Sequence, residues 1–172
     1  MPATLAPPPC DERFTSLVDA GRLAEAAEHA AHALGPRLAV WWGALSVANA
    51  AAPDDEPAAA ALDAAVAWVL HGSEATRRAA EAAGAAAGVK SPAGAIAIAA
   101  FWSGGSISLP GQPEVAPPPG VTPRLVASAV SMASLSAPTR PAADARLRQF
   151  LRFAAELLAG ENLPPAPEEI KP

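Results

Sequence analysis

Tyrosine is absent from this chain, cysteine occurs once, and only 5% of the residues are aromatic. The single cysteine, Cys10, excludes a disulfide framework. It also excludes a zinc or iron–sulfur site built from cysteines. Charge is scarce, at 17% of residues, against a usual value of about 25%. The net charge of −5 and a pI near 5.1 argue against nucleic acid as a partner. Long membrane-spanning runs are missing as well. Two stretches carry no charge, Leu38 to Pro53 and Ser91 to Pro113. The first is too short to cross about 30 Å of hydrocarbon, and Ser103-Gly104-Gly105-Ser106 interrupts the second. The start of the chain has no basic segment followed by an apolar one, so a secretory signal is not expected. The expected compartment is therefore the cytoplasm, with no membrane contact.

What the chain does have is alanine, about half of its 51% hydrophobic residues, together with 20 prolines and 12 glycines. Its 172 residues suffice for one domain with a real core. Alanine at this density favours helix over strand. No segment alternates β-branched and polar residues. The fold class is expected to be all-α, a compact single-domain bundle of seven to eight helices with one long proline-rich loop. Residues 1–10 read as a flexible arm, 11–160 as the helical domain and 161–172 as a solvated tail.

Helix punctuation is legible. Ser91-Pro92 and Thr122-Pro123 each place a capping residue before a proline suited to a first turn. Ser73 precedes Glu74 in the same way, and Gly35, Gly72, Gly88 and Gly160 follow apolar runs as helix stops. The resulting helices are Glu12–Asp19, Arg22–Leu34, Pro36–Ala51, Pro57–His71, Glu74–Ala87, Pro92–Trp102, Pro123–Ala137 and Ala142–Ala159. The third and sixth are apolar all round and should be central. In the third, Leu38, Trp41, Trp42, Leu45 and Asn49 share a face, with a small-residue face opposite. In the eighth, Leu147, Phe150, Leu151, Ala154, Leu157 and Leu158 form one stripe, with Arg148, Arg152 and Glu156 opposite. Buried alanine removes little area from water, so large residues carry a disproportionate share of the core. They are Trp41, Trp42, Trp68, Phe101, Trp102, Phe150 and Phe153.

Signs of chemistry are few. His29 and His32 could share a metal, but no third ligand stands in a recognisable spacing, and no metal or cofactor is expected. Ser103-Gly104-Gly105-Ser106 follows a helix and lacks a lysine, so it reads as a helix stop rather than a phosphate loop. No serine–histidine–acid arrangement has an elbow motif. Charge is uneven: residues 1–86 hold eleven acids and five bases, and residues 87–172 hold six and seven. Arg140, Arg146, Arg148 and Arg152 read as a solvated helix face. The longest irregular segment, Ser103 to Val121, exceeds the length of an ordinary connection, and its prolines pre-extend it.

The sequences Ala39-Val40-Trp41-Trp42 and Phe101-Trp102-Ser103-Gly104-Gly105-Ser106, followed by Pro117-Pro118-Pro119-Gly120, carry a resemblance. They resemble an uncharacterised family of small bacterial helical proteins, a domain of unknown function, over about residues 20–160. In that family cysteines often follow the tryptophan pair. Here Gly43-Ala44-Leu45-Ser46 stands instead, which removes cysteine chemistry. The resemblance implies an association with type VI secretion gene clusters and an accessory role.

Two readings follow. The first is a non-catalytic interaction protein, adaptor or chaperone-like, with a protein partner. Its contact is expected at Trp102, Ser103, Gly104, Gly105, Ser106, Pro110, Pro117, Pro118 and Pro119. The alternative is a small-molecule-binding domain or enzyme with a pocket lined by Trp41, Trp42 and Trp102. The sequence does not fix the oligomeric state.

Overall fold

The computed structural model describes residues 12–52, 54–109 and 111–166. Cys10 and Pro110 lie outside them, as does the arm expected over 1–10. The described residues form seven helices and no strand. These are α1 (Glu12–Asp19), α2 (Leu23–Ala50), α3 (Glu56–His71), α4 (Glu74–Ala87), α5 (Pro92–Phe101), α6 (Val121–Ser134) and α7 (Arg140–Leu158). The all-α expectation holds. The second and third expected helices are the two halves of α2, because its backbone leaves the helical region only at Gly35 (φ 71°, ψ 168°). Pro36, which lacks an N–H, then restarts the helix.

Local side-chain chemistry sets most helix starts. Asp55, Ser73, Ser91 and Thr139 each accept a hydrogen bond from a backbone N–H three residues on. This satisfies a donor that would otherwise be orphaned in the first turn. Two helix starts fall two residues earlier than the sequence expectation, and α6 ends three residues earlier, at Ser134. Thr139 caps α7 and lengthens it to Arg140, with Pro141 in the first turn. Thr122 is not a cap. It sits inside the first turn of α6, buried, and its hydroxyl donates to the Ala99 carbonyl at 3.4 Å. Gly120 is the cap residue instead, and the hydroxyl satisfies a neighbouring helix rather than its own.

Helix α2 is the hub, packing against α1, α3, α5, α6 and α7. Helices α3, α4 and α5 form a second group, each touching the other two. The inner face of α2 corrects the sequence expectation. In its second half the core-facing residues are Ala39, Val40, Gly43, Ala44, Ser46 and Val47, with Trp42 as the one side chain larger than valine. Leu38 and Trp41 are half-buried, and Leu45 and Asn49 are exposed. The reason is close approach. A Cβ on Gly43 would lie 2.3 Å from Ile96 Cδ1 and 3.1 Å from Val126 Cγ1. The small face therefore lets α5 and α6 reach the backbone of α2, and dispersion contacts at that density replace bulky side chains. The same device joins α4 to α5, where a Cβ on Gly94 would stand 2.1 Å from the Gly88 carbonyl oxygen.

The remaining core follows the expected stripes. Leu147, Phe150, Leu151, Ala154 and Leu157 of α7 are buried. Trp42 is fully buried, and its indole N–H donates to the Phe150 carbonyl at 2.7 Å. Phe101 is buried at the end of α5, which is buried on nearly every side. After α7 the chain runs back along α2. Trp41 donates to the Asn162 carbonyl, Arg37 donates to the Pro165 carbonyl, and Pro164 is buried. Residues 161–166 of the expected tail thus lie against α2, and 167–172 are outside the described residues.

Candidate interaction loop

Helix α5 ends at Phe101, one residue before the expected end, with Trp102 as its cap. Trp102 N–H donates to the Ile98 carbonyl, and the Ser103 hydroxyl reaches back to the Ala100 carbonyl at 2.6 Å. The chain then turns at Gly105, whose φ of +65° lies in the left-handed region. There the loop meets α4. Arg77 of α4 is buried, at 4% exposure, and its guanidinium is fully engaged. It forks onto Glu74 through Nε and Nη2, both at 2.7 Å. Nη1 donates to the Phe101 carbonyl at 2.6 Å, and Nη2 to the Ser106 carbonyl at 2.8 Å. The neighbouring Arg78 donates to Glu74 and Glu81, and its Nη2 reaches the carbonyls of Ser106 (2.8 Å) and Ser108 (2.7 Å). Both guanidinium groups lie over the Phe101 ring, with Cζ 4.8 and 5.1 Å from its centre. Cation–π attraction adds to the charge-assisted hydrogen bonds.

The electrostatics follow from this geometry. The hydrogen bond from Arg77, reinforced by Arg78, pulls the Glu74 carboxyl down to about 2. Hydrogen bonding to Glu74 raises Arg78 above its ordinary value. Glu74 therefore stays ionised and aligns both arginines toward the loop.

The loop is also tied to itself. Ser106 Oγ accepts from the backbone N–H groups of Ser108 and Val115, both at 3.1 Å. Ile107 N–H donates to the Val115 carbonyl at 2.9 Å, and Gln112 N–H to the Leu109 carbonyl at 3.1 Å. Residues 106–109 and 111–115 are thus tied to one another. Leu109 is 72% exposed and Val115 50% exposed. Of the expected contact residues, Trp102, Ser103, Gly104 and Ser106 are half-buried and Gly105 is exposed. Pro117 is half-buried, while Pro118 and Pro119 are exposed. Sequence reasoning missed Glu74, Arg77 and Arg78. Their signal was present as an acid with two arginines at i+3 and i+4, in a helix whose only other charged residue is Glu81.

The structure does not gather the three tryptophans onto an open pocket. Trp42 is sealed in the core against Phe150, Trp41 faces Asn162, and Trp102 stands at the far end of α5. Open clefts lie along the first half of α2, and a smaller one of about 100 Å³ lies at its far end beside Ser91 and Pro92. Three clefts of about 290, 330 and 320 Å³ adjoin along the first half, sharing Ala24, Glu25, Glu28 and Ser131. His29 and His32 line the second, with Arg13, Leu17, Glu25 and Glu28. Among the described residues no cluster of three or more histidine, cysteine or acidic side chains could hold a metal ion. Three basic residues of α7 have nearby partners: Arg140 pairs with Asp144, Arg146 donates to Ser136, and Arg148 donates to the Val18 carbonyl. Among the described residues no helix is long and apolar enough to cross a membrane.

Residues 14–158 match the model of the "Family of unknown function (DUF6931)", and the chain belongs to that family. No curated protein and no solved structure matches the chain.

Proposed function

We propose that this protein is a non-catalytic interaction factor, an adaptor or chaperone-like accessory protein, that holds a protein partner through the 102–120 loop. The observation that carries the reading is the contrast within the loop. Its base is fixed by two arginines, while Leu109 and Val115 project into solvent. Exposed apolar side chains on an ordered support favour association, because little conformational entropy is lost on binding. The sequence resemblance supports a bacterial setting and a role beside type VI secretion.

Site-specific photocrosslinking in the source cell tests this. A photoreactive residue at Gln112 is expected to give a discrete adduct, and one at Asp63, exposed on α3, is expected to give none. Absence of any adduct from positions 109, 112 and 115 would exclude the loop as the contact.

A further inference from the structure

We infer that Arg78 is the positioning residue of this contact, and that the partner offers an apolar socket flanked by a cation. The inference rests on reading the loop as the contact surface. Arg77 and Arg78 divide the work. Arg77 is buried and satisfies the end of α5, through the Phe101 carbonyl, as well as the loop. The Arg78 side chain keeps 23% exposure and makes no hydrogen bond to the body of α5. Its backbone contacts are both in the loop, at the Ser106 and Ser108 carbonyls. The carboxylates of Glu74 and Glu81 hold the guanidinium from behind. Nη2 alone holds both carbonyls on the segment that leads to Leu109, while Nε and Nη1 are held by Glu74 and Glu81, and a lysine with one ammonium nitrogen cannot reach both sides at once.

The chemistry of the tip specifies the partner. Leu109 and Val115 present apolar surface. Glu114 is exposed and is the sole charged residue between Lys90 and Arg124. An apolar pair beside one isolated carboxylate complements an apolar socket with a lysine or arginine at its rim.

The test uses the full chain as wild type, Arg78→Gln and Arg78→Lys. Amide exchange is followed by NMR at Ile107, Ser108 and Val115, whose N–H groups are bonded within the loop. Both variants are expected to speed exchange there by about tenfold or more, with the amides of α2 unchanged. General destabilisation would move the α2 amides as well. The Gln112 crosslink is expected to weaken in parallel. Unchanged loop exchange in Arg78→Gln, or wild-type behaviour of Arg78→Lys, overturns the positioning role. So does a full-strength crosslink from a loosened loop, and that outcome leaves the loop itself standing as the contact. A wild-type chain that gives no crosslink removes the contact reading, while the exchange data still decide the clamp. For the partner chemistry, Leu109→Ser and Glu114→Lys should each weaken the Gln112 crosslink. Either variant matching wild type overturns the corresponding part of the socket.

Discussion

Two adjacent glycines in the loop should respond oppositely to the same substitution. In Gly105→Ala, the new methyl would stand 2.9 Å from Nη2, 3.0 Å from Cζ and 3.1 Å from Nε of Arg77. That guanidinium cannot swing aside cheaply, since four hydrogen bonds to Glu74, Phe101 and Ser106 hold it in a buried site. The left-handed backbone adds about 1–2 kcal/mol of strain for a residue with a Cβ. Weakening one charge-assisted hydrogen bond adds about 1 kcal/mol or more. Restricting the unfolded chain offsets about 0.4–1 kcal/mol. The net expectation is a loss of about 2 kcal/mol, or a midpoint lower by about 4–8 °C for a domain of this size. At Gly104 no atom lies within 4 Å of the built methyl, and the backbone is not left-handed. Gly104→Ala should therefore be neutral or slightly stabilising, by about 0.5 kcal/mol. Urea unfolding of both variants against wild type decides the matter, with the slope unchanged and only the midpoint shifting. Equal midpoints for the two variants would refute the packing of Arg77 against the turn.

Three further outcomes are expected. Trp42→Ala removes the largest fully buried side chain and its bond to Phe150, and should cost about 3–5 kcal/mol in a denaturation midpoint; an unchanged thermal midpoint would remove Trp42 from the core. Ser46→Ala should raise stability by about 1 kcal/mol, because Ser46 Oγ is buried with no hydrogen-bond partner and alanine is the better helix former. Acid should loosen the Arg77–Glu74 clamp with a defined sign. Glu74 titrates at about 2 when folded against an ordinary 4.5, so its contribution is complete above 4.5 and fades as pH falls from there through about 2. The side chain is 61% exposed, so solvent screens the pair and the effect is modest. Comparing wild type with Glu74→Gln across that window should show the stability difference closing as acid is added, and a difference that stays constant would count against the ion pair.

The close packing of small residues explains why the segment expected to be buried all round is sealed mainly on its small-residue side. Trp41, Trp42 and Leu45 look like the natural core face, because large apolar side chains hide the most area. Only Trp42 is sealed. Gly43 and Ala44 win the interior because their smallness admits the Ile96 and Val126 side chains against the backbone, a gain that exists only once α5 and α6 are in place. The loop teaches the same lesson in polar form. A Gly-Gly turn between serines was readable as a helix stop, but its fixation was not. The hydrogen bonds that hold it join residues 24 to 30 positions apart.

By itself, then, the sequence determined what local chemistry determines. Alanine content set the helical class, and Ser73, Ser91 and the glycine stops marked helix ends, because a cap acts on N–H groups within three residues of itself. The stripe of α7 was equally readable from its period. Tertiary structure decided the rest: which side of α2 faces inward, that Thr122 serves a neighbouring helix, and that Arg77 and Arg78 turn a proline-rich connection into an ordered loop. Those outcomes depend on atoms brought together from distant parts of the chain, and an arginine's partner is set by where the fold places a free carbonyl.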